Sequence, residues 1–326
     1  MGKLLDRGDC IVGVDIGGTK IMALVFNHSF KVVGRCRKRT HSDKNNEPVE
    51  QRVVRTIREA LAHAKVKRPQ GIGVGSPGPL NPDTGVIIDT PNLAWKNFPL
   101  GRTLSKEFDV PVVVDNDVNM GTYGEWRFGK IKDCRNVVGV FPGTGIGGGL
   151  IIDGKLFRGF TGAAGEVGHM TIEVDGPYCG CGKRGCLEAV ASRIAIAEQV
   201  AALAARGDAP LILEQCGTDL SKIRSGMLMK SIQNGDKMVE GVVRKAAYYV
   251  GIGVSNLVNI LSPEAVLLGG GLVEAMEDLY LEEVKRAMKK HAMPFLRKGV
   301  RVVAARLGDD AVAMGAGRLI AERLAE

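Results

Sequence analysis

Three of the seven cysteines in this chain lie in one glycine-rich stretch, residues 166–188. Cys179, Cys181 and Cys186 have the spacing C-x-C-x₄-C, and His169 lies a short distance upstream. Thiolates with one imidazole suit Zn²⁺, and a closed set of four ligands indicates a structural rather than a hydrolytic metal. The stretch therefore predicts a structural zinc site, with half-buried cysteines in a loop as the alternative.

Two carboxylates flank this stretch, and folding the loop around a metal would fix both beside it. Glu166 precedes His169, and Glu188 follows Cys186. Such carboxylates accept hydrogen bonds from sugar hydroxyls, and the second ring nitrogen of a ligating histidine is open to an outer partner. The pattern predicts sugar contacts here, although either glutamate alone is typical of a solvated surface charge.

The composition is that of an ordinary globular protein of 326 residues, 45% hydrophobic and 25% charged. This length favours two domains. No apolar run is long enough to span a bilayer, and residues 1–10 lack the apolar core of a signal peptide. We expect a cytoplasmic protein without a membrane partner, in which thiols stay reduced and can bind a metal.

The net charge of +8 is dispersed along the chain rather than concentrated in one block. Two of its basic groups lie far apart in the chain, and the second has the spacing of a solvated helix face: Arg35, Arg37, Lys38 and Arg39, and then Lys285, Arg286, Lys289 and Lys290. This distribution argues against a nucleic-acid partner and suits a phosphorylated substrate.

Residues 10–26 consist of two apolar runs separated by a glycine turn, a pattern that predicts a β-hairpin. The turn lacks the spacing of a P-loop, but its backbone N–H groups can still form an anion-binding concavity. The residues predicted to bind phosphate, or Mg²⁺ through water in the case of the aspartate, are Asp15, Gly17, Gly18, Thr19 and Lys20. The alternative is a plain β-hairpin.

The next segments predict a strand at 31–36, a helix at 47–65 and a strand leading into the loop 73–79. The loop matches G-x-G-x-x-G, but Pro77 and Pro79 exclude the helix that a dinucleotide site requires. We expect Gly78 to contact a ligand through its backbone, and Asn92 to lie in another such loop.

A helix at 102–108 and a buried strand at 111–115 lead into Asn116 and Asp117. Side chains at the carboxyl end of a parallel strand lie where open α/β sheets bind ligands. We expect one side chain among Asp115, Asn116 and Asp117 to cap the following helix and the others to be available for chemistry.

A second strand, glycine turn and strand follow at 136–152, and their pattern repeats that of the first hairpin. The repetition predicts an internal duplication, with phosphates held between the two hairpins by Gly143, Thr144 and Gly145. We then expect helices at 192–205, 236–261, 279–291 and 311–324 and a last strand at 300–306. A strand ending in Gly269, Gly270 and Gly271 would let a ribose or flat ring approach the backbone.

These motifs together resemble the ROK family of sugar kinases and repressors, over nearly the whole chain. The resemblance implies an α/β, two-lobed actin-like ATPase (ribonuclease H-like) fold with duplicated βββαβαβα-type domains and a zinc loop. We expect a small domain of residues 1–117 plus about 308–326 and a larger domain of 118–307. The family's sugar-binding positions fall on Gly78, Asn92, Asn116, Asp117, Glu166, His169 and Glu188, and its adenosine motif on 266–271. Residues 120–123 depart from the alanine-rich helix start usual in the family.

The activity that this resemblance implies is transfer of the γ-phosphoryl group of ATP to the 6-hydroxyl of a hexose, with glucose preferred. Asp117 would accept the hydroxyl proton as general base, with ATP, Mg²⁺ and structural Zn²⁺ as cofactors. The alternatives are N-acetylglucosamine, N-acetylmannosamine or fructose as substrate, or a sugar-responsive regulator without a DNA-binding domain. A homodimer or homotetramer is expected.

Overall fold

The computed structural model describes residues 9–41 and 47–326, which form two compact units. The first unit takes in the chain up to Lys132, together with Leu156–Ala164 and Leu307–Glu326. The second unit consists of Asp133–Lys155 and Gly165–Arg306.

Elements of the first 132 residues alternate between strands and helices. They are β1 (Cys10–Ile16), β2 (Lys20–Asn27), β3 (Val32–Arg39), α1 (Val49–Ala64), β4 (Ile72–Ser76), β5 (Leu80–Asn81), β6 (Val86–Thr90), β7 (Trp95–Phe98), α2 (Leu100–Phe108), β8 (Val112–Asn116) and α3 (Asp117–Phe128).

From residue 133 the chain again begins with strands and then becomes mainly helical. Its elements are β9 (Val137–Pro142), β10 (Ile146–Ile152), β11 (Lys155–Leu156), α4 (Leu187–Ala191), α5 (Arg193–Ala205), α6 (Pro210–Cys216), α7 (Ser225–Gln233), α8 (Lys237–Leu261), β12 (Ala265–Leu268), α9 (Gly271–Ala275), α10 (Glu277–His291), α11 (Pro294–Arg297), β13 (Arg301–Ala304) and α12 (Ala311–Ala325).

Both units are built on a five-stranded sheet with the same order of strands. The first sheet runs β3-β2-β1-β4-β8, and the second runs β11-β10-β9-β12-β13. In each sheet the opening hairpin is antiparallel, and the two later strands join in parallel. The duplicated α/β fold is therefore confirmed: the duplication was predicted from the two glycine hairpins, and the actin-like fold from the family resemblance.

The first sheet is covered on both faces, because its central strand is apolar at consecutive positions. Val12 packs in a core with Ile57 of α1, whereas Ile11 packs in a separate core with Ile320 of α12. A Cβ atom on Gly13 would overlap the carbonyl oxygen of Ala313, so glycine there permits close packing of α12. In the second unit the core lies between the sheet and α5, α8 and α10.

The division between the units differs from the predicted boundary at residue 117. Helix α3, which was assigned to the larger domain, packs on α12 so closely that a Cβ atom on Gly124 would overlap the carbonyl oxygen of Ala311. Residues 156–164 also belong to the first unit. Both differences depend on contacts between segments that are distant in the sequence.

Some short elements were not predicted, and one predicted helix begins at a different residue. Strands β5, β6 and β7 form a three-stranded sheet, and Asn92 lies in a 3₁₀ helix, Pro91–Leu93, rather than in an open loop. Helices α4, α6 and α7 were also missed. The expected helix at 47–65 begins later, at Val49, after Pro48.

Candidate functional site

The turn of the first hairpin is held by its own backbone and leaves Gly18 exposed. Gly17 N donates to Lys20 O at 2.8 Å, and Thr40 Oγ1 donates to Gly17 O at 2.5 Å. A Cβ atom on Gly18 would find its nearest neighbour, Asn92 Cβ, at 3.9 Å. The fold therefore leaves open space at Gly18, and a ligand could approach the backbone there.

Carboxylates surround this turn. Asp15 is only 7% exposed, and burial raises the pKa of its carboxyl group to about 7. Lys20 lowers that pKa, whereas Asp117 and Asp309 raise it. Because ionisation of Asp15 is disfavoured by burial and by two other carboxylates, a divalent cation would stabilise its charged form.

Asp309 is a site residue that the sequence analysis missed. Its carboxylate forms an ion pair with Lys20 and lies 3.1 Å from Arg37, and the hydrogen bond from Lys20 lowers the pKa of Asp309. The residue lies in a 3₁₀ helix, Gly308–Asp310, just before α12. The pair of aspartates ahead of that helix was the available signal, but nothing local connects it to a hairpin almost 300 residues away.

The end of β8 separates the roles of three consecutive polar residues. Asn116 caps α3, since its Oδ1 accepts from the backbone of Val118 and Asn119, as expected for one of the three. Asp115 is buried and accepts from Arg158 Nε at 2.5 Å, so it is structural rather than available for chemistry. Asp117 remains half-buried, with Oδ1 2.9 Å from Val118 N.

Gly78 lies beside this strand end. A Cβ atom built on Gly78 would stand 3.8 Å from Asn116 Nδ2. Capping uses the oxygen of the Asn116 side chain, and the amide nitrogen points toward the Gly78 loop. The first unit thus brings together two of the predicted sugar-binding positions.

The turn of the second hairpin is braced by helices of its own unit. Gly143 N donates to Gly145 O at 2.8 Å, and Gly143 O accepts from Arg193 N at 2.8 Å. The Arg193 side chain also donates to Thr144 Oγ1 at 3.2 Å. Arg193 was not predicted. It lies at the start of α5, next to the capping residue Ser192, and nothing in the local sequence indicates a contact with residue 144.

Glu188 is fixed against the same hairpin. Its Oε2 accepts from Ile146 N at 2.8 Å, and a Cβ atom on Gly145 would overlap that oxygen. A side chain at position 145 would therefore displace the Glu188 carboxylate from Ile146 N. The contact joins a predicted sugar-binding carboxylate to a predicted phosphate loop.

The predicted zinc ligands come together in the second unit. The ligand atoms of His169, Cys179, Cys181 and Cys186 all lie within 4.8 Å of one another. A tetrahedral zinc with bonds of about 2.3 Å to sulfur and about 2.0–2.1 Å to nitrogen requires S···S of about 3.8 Å and S···N of about 3.6 Å. Cys181 Sγ lies 3.7 Å from Cys186 Sγ, and Cys179 Sγ lies 3.6 Å from His169 Nδ1. These donors fit a zinc ion in geometry and chemistry.

Local turns produce this cluster. Cys179 N donates to Lys183 O, and Gly182 N donates to Cys179 O, with Gly182 in the left-handed region at φ 83°. Burial raises the pKa of the Cys186 thiol to about 12, whereas a backbone hydrogen bond at Lys183 lowers the pKa of the exposed Cys181 thiol. A bound dication would favour the thiolate form at all three cysteines.

His169 faces the cluster with Nδ1, while its Nε2 lies 3.9 Å from Glu166 Oε2. The Glu166 side chain is 65% exposed. The metal-facing and ligand-facing nitrogens predicted for this histidine are therefore distinct atoms, as a residue shared between a metal and a ligand requires.

The three glycines after β12 have different surroundings. Cβ atoms on Gly269 and Gly270 would overlap or crowd Phe141 and Pro142, and Gly270 has φ 83°. By contrast, a Cβ atom on Gly271 would have Ser225 Oγ as its nearest neighbour, at 3.7 Å. Packing explains the first two glycines, and only Gly271 has room for a ligand.

A family model described as the ROK family matches residues 11–323. The chain belongs to the ROK family. It is 34% identical to a glucokinase of Halalkalibacterium halodurans, over 96% of this chain and 95% of that protein. It is 32% identical to a putative xylose repressor of a Caldicellulosiruptor species, over 94% of this chain and 76% of the repressor.

A crystal structure of a ROK family glucokinase from Streptomyces griseus, in complex with glucose and AMPPNP, has the same fold. The TM-score is 0.80 at 30% identity, with 95% of this chain and 98% of that chain covered. Among the described residues of this ROK protein, no helix combines the length and apolar character needed to cross a membrane.

Each unit of this ROK protein gathers part of the predicted site. The first unit holds the hairpin turn 17–20 with Asp15, and also Gly78, Asn92, Asn116 and Asp117. The second unit holds the turn 143–145, the metal cluster, Glu166, Glu188 and the glycines after β12.

Proposed function

We propose that this ROK protein transfers the γ-phosphoryl group of ATP to the 6-hydroxyl of a hexose, and that the hexose is glucose. The observation that carries the proposal is Asp117, a half-buried carboxylate at the end of β8, electrostatically coupled to Asp15 beside an open glycine turn. Similarity along the whole chain to glucokinases supports a sugar kinase, and one of those glucokinases has been crystallised with glucose and an ATP analogue.

Phosphoryl transfer needs alignment of the two oxygens and stabilisation of charge more than covalent chemistry. Asp117 would accept the proton of the sugar hydroxyl, since a strand end fixes its position. The backbone of Gly17 and Gly18 and the hydroxyl groups of Thr19 and Thr144 would hold the phosphates of ATP, with Lys20 supplying a cation. Gly143 and Gly145 would provide the second backbone cradle.

Magnesium fits the buried carboxylate of Asp15, because hard oxygen donors suit this ion and its charge would offset the raised pKa. When bound, Mg²⁺ neutralises charge on the β- and γ-phosphates. Asp309 would hold Lys20 in the turn by their ion pair. Gly271 offers the open backbone for adenosine, with Gly269 and Gly270 shaping the turn before it.

We further propose that the Cys₃His cluster holds a structural zinc ion and that it positions sugar contacts. His169 would bind the metal through Nδ1 and a sugar hydroxyl through Nε2. Glu166 and Glu188 would accept from other hydroxyls, and Asn116 would donate through its amide nitrogen, because its oxygen caps α3. Asn92 and the Gly78 loop would supply further sugar contacts on the first unit. A cytoplasmic location and a homodimer or homotetramer stay predictions.

A second candidate is a sugar-responsive regulator, because xylose repressors match this chain over 94% of its length. A regulator would bind a sugar without releasing ADP. Within the kinase proposal, N-acetylglucosamine, N-acetylmannosamine and fructose remain the competing substrates, and polyphosphate the competing donor.

One experiment separates these possibilities. With ATP as donor, ADP release by the purified protein is coupled to NADH oxidation over a panel of hexoses. With polyphosphate as donor, formation of the sugar phosphate is measured directly, and calorimetry of each sugar runs in parallel. The proposal expects the highest kcat/KM with glucose and ATP. Glucose binding without phosphorylation by either donor would favour a regulator, and a higher kcat/KM with an N-acetylated sugar would replace glucose as the substrate.

A further inference from the structure

A cavity of about 570 Å³ lies along β8 in the first unit. Its walls come from the turn between β5 and β6, helix α2, the segment 156–164 and the end of α12. The volume is in the range of about 300–1,000 Å³ that small-molecule sites occupy. None of the residues proposed above to bind the sugar or ATP lines this cavity.

The lining is rich in cations. Arg102 and Lys106 lie one turn apart on α2, Arg323 lies on α12, and Arg158 reaches the cavity from the segment 156–164. In residues 9–41 and 47–326, no carboxylate forms an ion pair with Arg102, Lys106 or Arg323. Against four cationic side chains the lining has two carboxylates, those of Asp83 and the buried Asp115, so the cavity favours an anion.

Arg158 is oriented by its hydrogen bond to Asp115, and this bond leaves other donors of its guanidinium group available. The Nε atom donates to Asp115 Oδ2 at 2.5 Å, while the two terminal nitrogens of a guanidinium carry four further N–H donors. Asp115 is itself fixed, because its Oδ1 accepts from Asn116 N at 2.7 Å and from Asn119 Nδ2 at 3.0 Å. An arginine held in this way is preorganised for an anionic oxygen.

The strand beside the cavity offers neutral donors as well. β8 is at the edge of its sheet, and Ile72 N donates to Pro111 O. Alternation in a parallel pair then turns the backbone N–H groups of Val112 and Val114 away from β4, toward the open edge. Their side chains and Pro82 supply apolar surface for a carbon skeleton.

We propose that this cavity binds a small phosphate monoester, of the sugar-phosphate or polyol-phosphate class. Arg102, Lys106 and Arg323 would contact the phosphate together with the terminal nitrogens of Arg158. Arginine forks match phosphate oxygens with two parallel hydrogen bonds, and lysine adds a point charge. Through Arg158 and Asp115 the ligand lies next to the strand end that carries Asp117. The site itself does not depend on the proposed kinase activity.

The test is isothermal titration of glycerol 3-phosphate into the full-length protein at low salt. The double variant Arg102→Gln/Lys106→Gln is expected to bind about tenfold or more weakly, because it removes two of the four cations that would contact the phosphate. The charge-matched variant Lys67→Gln/Lys130→Gln changes two exposed lysines that do not line the cavity, and should bind as the parent protein does.

A third variant separates this cavity from the phosphate turn. Gly18→Ala should bind glycerol 3-phosphate normally, and loss of binding there would place the anion at the turn and overturn the proposal. Equal affinity in the two double variants would also overturn it. Binding of a polyglutamate peptide in place of glycerol 3-phosphate would assign the open edge of β8 to a peptide strand instead. Melting curves confirm that each variant is folded.

Discussion

The two glycine hairpins stand at equivalent places in two sheets of the same strand order, yet their surroundings differ. In the first unit, Gly18 has open space around it, and the turn is flanked by Asp15 and by the Lys20–Asp309 ion pair. In the second unit, Gly145 packs directly against Glu188, and Arg193 donates to the two preceding residues, Gly143 and Thr144.

On the proposed function, this difference would divide the requirements of the reaction between the two copies of the scaffold. The first hairpin is flanked by carboxylates and basic side chains and has open space at Gly18. Changes there should therefore alter ligand binding more than folding. The second is braced by Glu188 of α4 and Arg193 of α5, so changes there should alter both folding and ligand binding. The comparison predicts which property each substitution will affect.

Loss of the metal cluster should have the largest effect. Cys181→Ala removes one of four ligands, and a structural zinc site contributes its binding free energy to the fold only when it is complete. We expect zinc content to fall from about one equivalent to near zero and the melting temperature to fall by about 10 °C or more. Metal analysis and melting curves measure both, and Cys216→Ala is the control, since Cys216 is outside the cluster.

His169→Ala should lower zinc content to the same degree but should differ in sugar binding. Any zinc-loaded fraction of this variant should bind glucose poorly, because it lacks the Nε2 contact, whereas zinc-loaded Cys181→Ala should bind it almost normally. Full zinc occupancy in both variants would refute the metal assignment. Normal glucose affinity in zinc-loaded His169→Ala would confine the histidine to a structural role.

Asp117→Asn tests the chemical step on the first unit. A general base contributes about 10²–10⁴ in rate, so turnover should fall at least a hundredfold while glucose affinity stays near that of the parent protein. The coupled ADP assay gives the rate, and calorimetry gives the affinity. Asp89→Asn, at an exposed position on β6, is the matched control. Near-normal turnover in Asp117→Asn would require another base.

The sequence predicted those features whose causes are local. The zinc ligands are close in the chain, and short turns through Gly182 bring them together. The cap at Asn116 and both hairpins follow from side-chain type and apolar alternation. The internal duplication followed from the similarity of the two hairpins, whereas the shared order of the strands is a finding of the structure.

Features that depend on tertiary packing were not predictable in this way. Asp309 reaches Lys20 only because α12 returns to the first unit, and Arg158 reaches Asp115 only because residues 156–164 do so. The same packing placed α3 in the first unit and moved the boundary from residue 117. The small β5-β6-β7 sheet was missed because its strands are short and interrupted by turns.

A matched pair of glycine substitutions sharpens the comparison between the hairpins. Gly145→Ala displaces the Glu188 carboxylate and leaves Ile146 N without its acceptor, so we expect a loss of about 1–3 kcal/mol in the free energy of unfolding, with weaker binding of both ligands. Gly18→Ala should change the free energy of unfolding by no more than about 0.5 kcal/mol, because the added methyl group meets no protein atom closely. The same methyl group should lower the affinity for ATP, because it would occupy space that the ligand needs. Denaturant unfolding and calorimetry measure the two properties. Equal loss of stability would show that the first turn is as tightly packed as the second.

The smallest expected effect is a pH dependence that belongs to the first hairpin alone. The pKa of Asp15 is about 7 in the folded protein, whereas an aspartate in the unfolded chain has the ordinary value of 3.8. At a pH between these two values, the folded state therefore keeps a proton that the unfolded chain has lost. Between about pH 4 and 7 this group therefore makes the metal-free protein less stable as the pH rises.

Binding of MgATP should respond in the opposite direction, because a cation requires the ionised carboxylate. From pH 6 to pH 8 the ionised fraction of a group with a pKa of 7 rises about tenfold, so MgATP affinity should rise by up to that factor. Calorimetry across this range, in buffers of constant ionic strength, measures the slope. Asp15→Asn should bind MgATP weakly at every pH and abolish the slope, whereas Gly145→Ala should weaken binding and keep it. A pH-independent affinity in the parent protein would show that Asp15 is already ionised, and would remove the chemical distinction between the two turns at this residue.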